Sequence, residues 1–194
     1  MTDILFLSDC SLSVEKEKNK FIGMINSIIY NQQDVNQNGR LTLIKFNDRV
    51  VPDCIYLSKP FKDVEQLVSY DCSGMTALYR TINYCLESKE EEKLNEICII
   101  LTDGCDNASP MCEKEFCKEI IEEMKGKGMK FIFLGLDKKS IKCGIELGVN
   151  LCILYNLTSK SLKATVEEIN TQIRRNVPID DVIDMSTMFG KMSL

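Results

Sequence analysis

Short, nearly unbroken apolar runs alternate in this chain with stretches whose apolar residues recur every three to four positions. That alternation constrains the fold more than any other feature. The runs at 3–9, 97–102, 130–134 and 151–155 lack a polar face, as expected of parallel strands buried on both sides. Between them lie helical patterns: Phe21, Ile25 and Ile28 in 14–30; Leu78, Ile82 and Cys85 in 76–86; Phe116, Ile120 and Met124 in 113–125. Gly126-Lys127-Gly128 stops the third. A short helix is expected at 140–147, and Leu162, Val166, Ile169 and Ile173 form a stripe in 158–174. Strands alternating with helices imply an α/β fold, a parallel sheet covered on both faces. Residues 31–39 read as a polar loop, and 41–46 with 50–57 as a hairpin around Asn47-Asp48. One domain accounts for 1–175. Residues 176–194, with Met185, Met188, Phe189 and Met192, read as a tail that packs on the body or docks elsewhere.

Charge narrows the partners. A net charge of −5 and a pI near 5.0 disfavour nucleic acid and anionic membranes, which select basic surfaces. The longest apolar runs, such as 97–101, are too short to span a bilayer. The N-terminus lacks a basic region and carries Asp3, so no targeting signal is legible and a cytoplasmic location is expected. Most of the ten cysteines interrupt apolar runs, which suits small buried hydrophobes in a reducing compartment. Cys105, Cys112 and Cys117 do not have zinc-ligand spacing. With no histidine, Ser-His-Asp and Cys-His nucleophilic sites are excluded.

Three segments carry chemistry. Asp9-Cys10-Ser11-Leu12-Ser13 follows the first strand, Ser73-Gly74-Met75-Thr76 precedes a helix, and Thr102-Asp103-Gly104 follows a central strand. Doubly wound sheets bind ligands beyond the carboxyl ends of their strands, where these segments would meet. Their oxygens suit a hard cation such as Mg²⁺, which takes six oxygen ligands, some of them water. Ser11, Ser13 and Thr76 offer hydroxyls; Asp9 and Asp103 would hold the ion directly or through water. The competing reading is local: Ser13 and Thr76 as helix N-caps, Asp103-Gly104 as a turn.

Asp9-x-Ser11-x-Ser13 with Thr76 and Asp103 resembles the metal-ion-dependent adhesion site of von Willebrand factor A domains. The strings 73–79, 101–109 and 130–135 are similar to small bacterial-type members, and the resemblance covers about 1–175. It implies a Rossmann-like, mostly parallel sheet with one antiparallel edge strand. It implies that Ser11, Ser13 and Thr76 contact Mg²⁺ (or Mn²⁺), while Asp9 and Asp103 act through bound water. A metal held by neutral hydroxyls stays electrophilic, so a protein partner's acidic side chain would complete its coordination. Many members have Gly between the serines. Leu12 stands there instead, and leucine disfavours positive φ, so a loop needing that conformation would bind metal less well. Two other readings compete: an Mg²⁺-dependent phosphoryl-transfer enzyme, which would require an acid at Ser11 or a phosphate loop, and a scaffold with a vestigial site.

Overall fold

The computed structural model describes residues 1–87, 89, 95–155, 159–174 and 181–184. Seven strands form one sheet in the order β3-β2-β1-β4-β5-β6-β7. They are β1 Asp3–Asp9, β2 Arg40–Phe46, β3 Asp53–Pro60, β4 Glu96–Thr102, β5 Lys130–Gly135, β6 Leu151–Leu154 and β7 Asp181–Asp184. All neighbours pair in parallel except β3, which runs antiparallel to β2 at the edge. This is the mostly parallel, Rossmann-like sheet with one antiparallel edge strand. The C-terminal segment supplies β7 against β6. The tail methionines and Phe189 lie outside the described residues.

The period of two along each strand divides the core. Ile4, Phe6, Ile97, Ile99, Ile132 and Leu134 face helices α1 (Lys18–Val35) and α5 (Ser159–Arg174). Leu5, Leu7, Cys98, Ile100, Phe131 and Phe133 face α2 (Leu78–Leu86), α3 (Met111–Gly126) and α4 (Lys138–Glu146). A side chain fully buried in either layer stabilises the fold by about 1.5–3 kcal/mol. Gly144 lets α4 approach the sheet closely: a Cβ there would lie 2.7 Å from Phe133 Cγ and 2.9 Å from Cys152 Sγ. Asp137 and Ser140 form a reciprocal capping box that starts α4.

Several boundaries differ from the sequence reading: the second hairpin strand, expected at 50–57, is Asp53–Pro60, and the helices expected at 113–125 and 140–147 are Met111–Gly126 and Lys138–Glu146. The helix expected at 14–30 begins as a 3-10 turn, Leu12–Lys16, and α1 then continues to Val35, through the start of the expected polar loop. Tertiary contacts extend it. Gln32 is buried, its Nε2 donating to Asn170 Oδ1 at 2.8 Å, and Gln33 Nε2 donates to the carbonyls of Phe61 and Val64. The helix expected from Thr76 starts two residues later, at Leu78.

Candidate metal centre

β1 and β4 are neighbours, paired from Asp3↔Glu96 to Ser8↔Leu101, and from this central pair the chain winds outward in both directions. The carboxyl ends of these strands form a topological switch point, where α/β sheets open a crevice. Asp9 ends β1, and Asp103 follows the last residue of β4.

Hydrogen bonds join four of the five expected residues. Asp9 is fully buried; its Oδ1 accepts the Ser11 N–H at 2.8 Å and its Oδ2 accepts the Thr102 hydroxyl at 2.7 Å. Ser11 Oγ lies 3.0 Å from Ser13 Oγ, and Ser13 Oγ donates to Asp103 Oδ1 at 2.9 Å. Thr76 reaches the same rim through its backbone. Its N–H donates to Asn107 Oδ1 at 2.8 Å and its carbonyl accepts the Asn107 N–H at 2.9 Å. Leu12 N–H donates to the Gly74 carbonyl at 3.0 Å, and Ser73 N–H to the Cys10 carbonyl at 2.9 Å, binding the first loop to the second.

Neither serine nor threonine acts as a helix cap. The 3-10 turn has Ser11 at its N-cap with no side-chain cap bond, and Ser13 lies inside the turn. The N-cap of α2 is Ala77, not Thr76. The expected penalty at Leu12 is also absent: among the described residues Ser58 alone of the non-glycines has positive φ. The loop places Leu12 outward, 65% exposed, in a conformation any residue can adopt.

The donor set fits a small hard cation. Adjacent ligands of an octahedral Mg²⁺, bound at about 2.1 Å, lie about 3 Å apart. The Ser11–Ser13 separation of 3.0 Å has that spacing, and Asp103, accepting from Ser13 at 2.9 Å, stands beside the pair. Burial pushes Asp9 up to about 6, against its hydrogen bonds from Thr102 and Ser11, with the Asp103 charge adding to the rise. Burial also raises Asp103, opposed by the bond from Ser13. A cation between the two carboxylates would relieve both effects. Burial pushes the flanking Cys10 thiol up to about 12 and Cys72 to about 11, so neither offers a thiolate near neutral pH. Among the described residues no group of three or more His, Cys, Asp or Glu side chains is placed to hold a metal, Cys105, Cys112 and Cys117 included.

The sequence reading missed the residues that fix the second loop. Asp106 Oδ1 accepts the N–H groups of Ala108 and Ser109; Oδ2 accepts Tyr79 N–H and Ser109 Oγ–H. It thereby caps α2 from a different loop. Asn47 Nδ2 donates to the Ser73 carbonyl at 2.9 Å. The string Asp106-Asn107-Ala108-Ser109, rich in turn-forming side chains, was the available signal. Asp106→Ala leaves these donors unpaired and is expected to destabilise the protein by about 1–3 kcal/mol in chemical denaturation. An unchanged unfolding midpoint would refute this role.

The comparisons bear on the family and the fold. A model of the von Willebrand factor type A domain matches residues 3–147. No curated protein matches the chain. Among solved structures, proximal thread matrix protein 1 from the mussel byssus is 17% identical with a TM-score of 0.66, covering 89% of this chain and 46% of that one. The pilus adhesin SpaC from Lactobacillus rhamnosus GG, in its open conformation, is 14% identical with a TM-score of 0.66, covering 89% and 30%. The SpRpn10 VWA domain is 11% identical with a TM-score of 0.60, covering 87% and 95%. This chain thus spans less than half the length of the mussel and pilus proteins, and the likenesses carry the fold alone. With 3–147 matched by the family model and the sheet order described above, the chain belongs to the von Willebrand factor type A domain family.

Proposed function

We propose that this domain is a metal-dependent protein-binding module rather than an enzyme, and that a divalent cation, Mg²⁺ or Mn²⁺, mediates the contact. The observation that carries the reading is the hydrogen-bonded set of Asp9, Ser11, Ser13 and Asp103, in which the Ser11 and Ser13 hydroxyls lie one octahedral edge apart. Ser11, Ser13 and Thr76 would hold the metal through neutral hydroxyls, with Asp9 and Asp103 acting through bound water. The bound cation would supply Lewis acidity. Asp9, anchored by Thr102, fixes the Ser11 loop, and Ser13 is oriented by Asp103. Hydroxyl ligands leave the cation's charge largely uncompensated, so an acidic side chain of a partner protein is the favourable remaining ligand. Family membership supports the coarser statement, since von Willebrand A domains mediate protein–protein interactions and often use metal.

We place the domain in a reducing, cytoplasmic setting, where its ten cysteines would stay free thiols. Thiol titration of protein denatured without reductant, expected to find all ten, checks this. Among the described residues no helix is long and apolar enough to cross a membrane.

The deciding experiment follows thermal stability during Mg²⁺ and Mn²⁺ titration, with and without acetate, in wild type and Thr76→Ala. Wild type is expected to gain about 2.7 kcal/mol at a hundredfold excess over Kd, more with acetate. Thr76→Ala is expected to fold normally and show no gain. A wild type that responds to neither metal, even with carboxylate, or that turns over generic phosphatase substrates, would overturn the reading.

A further inference from the structure

A cleft of about 560 Å³ opens between α2 and α3, lined by Val50, Arg80, Asn83, Tyr84, Glu87, Cys112, Glu113 and Phe116. Tyr84 is 52% exposed and Phe116 41%, so two aromatic rings form its walls without being covered. Its polar groups are mostly acceptors. Asn83 is buried and both amide hydrogens go to Glu113, to the carbonyl at 3.0 Å and to Oε2 at 2.6 Å. Asn83 Oδ1 is buried with no partner among the described residues. Glu87 is the C-cap of α2, the end of a helix that favours cations, yet it has no ion pair among the described residues. Among the described residues nothing offsets the placing of this carboxylate against the helix dipole.

We infer that this cleft is a second protein-binding site, separate from the metal centre, that receives an arginine side chain from a basic segment of a partner. A guanidinium is planar, stacks on aromatic rings and presents several donors in a rigid fork. Tyr84 and Phe116 supply the rings; Glu87 and Glu113 supply the acceptors. Two carboxylates against one cation, Arg80, give the lining a net negative charge, in a chain whose formal charge is −5. Arg80 stands seven residues before Glu87, roughly 10 Å along α2. It limits the cleft to one basic residue near Glu87, and an acid further along the partner would meet Arg80.

The test uses blocked Ala-Arg-Leu-Ala and Ala-Glu-Leu-Ala peptides, with NMR detection of the Tyr84 and Phe116 ring signals. The arginine peptide is expected to shift both rings saturably and to bind at least fivefold tighter than the glutamate peptide. Chelator and Thr76→Ala are expected to leave this binding unchanged, because the metal centre takes no part. Glu87→Gln combined with Glu113→Gln keeps the shapes and the Asn83 bond while removing both charges; it is expected to weaken the arginine peptide tenfold or more. Equal or tighter binding of the glutamate peptide would overturn the inference. So would the absence of ring shifts, or ring shifts that depend on protein concentration alone, which would show a second copy filling the cleft.

Discussion

Asp9→Asn is expected to raise the stability of the metal-free protein at pH 8 by about 3 kcal/mol and to abolish its response to Mg²⁺. Asp9 is fully buried, and burial pushes it from the ordinary value of 3.8 up to about 6. Between these two values the folded state keeps a proton that the unfolded state has released. Stability is therefore greatest below about pH 4, falls as pH rises through about 6, and is level above that. Asparagine removes the ionisation while keeping the site's hydrogen bonds: its carbonyl oxygen can accept from Ser11 N–H, and its amide can donate to the Thr102 hydroxyl. The variant and the wild type should converge toward pH 4 and separate above pH 6 in chemical denaturation with chelator present. An equal gap at both pH values, or none at pH 8, would refute the argument. Metal acts with the opposite sign. It favours the ionised carboxylate, so Mg²⁺ stabilisation of wild type is expected to fade as pH falls below about 6.

Gly74→Val is expected to destabilise the domain by about 2 kcal/mol and to remove the metal response with it. Gly74 has φ +72, a conformation that β-branched residues scarcely adopt, and a Cβ there would collide with the Asp48 carboxylate. Its carbonyl is also the acceptor that ties Leu12 N–H, and so the Ser11–Ser13 loop, to the Thr76 loop. Strain at this position therefore separates the hydroxyls rather than merely loosening a turn. For a chain of this length the midpoint should fall by roughly 4–8 °C in calorimetry. Gly23→Ala is the control. It lies within α1, no atom lies within 4 Å of the Cβ it would add, and its φ is not positive. That change should stabilise by about 0.5–1 kcal/mol. If both substitutions behave alike, backbone conformation at Gly74 is not what holds the two loops together.

The sequence by itself determined the α/β alternation. A parallel strand covered on both faces has to be apolar at nearly every position, and Glu96–Thr102 and Lys130–Gly135 could be read directly for that reason. It also determined the candidate ligands, because Asp9, Ser11, Ser13, Thr76 and Asp103 stand in short local patterns at strand and helix ends. What it could not supply was anything that depends on residues far apart in the chain. Strand order brings Ser13 within hydrogen-bond distance of Asp103, ninety residues away. Gln33, bonded to carbonyls near Phe61, carries α1 through a stretch whose polarity suggested a loop. Asp106, not Thr76, caps α2, because the cap comes from another loop. Leu12 has no positive φ, and its N–H is bonded to the Gly74 carbonyl sixty-two residues on, a contact that a residue-by-residue preference does not contain. Local periodicity records which side of an element is buried. Only the tertiary structure decides which side chains, once buried or brought to a rim, meet one another.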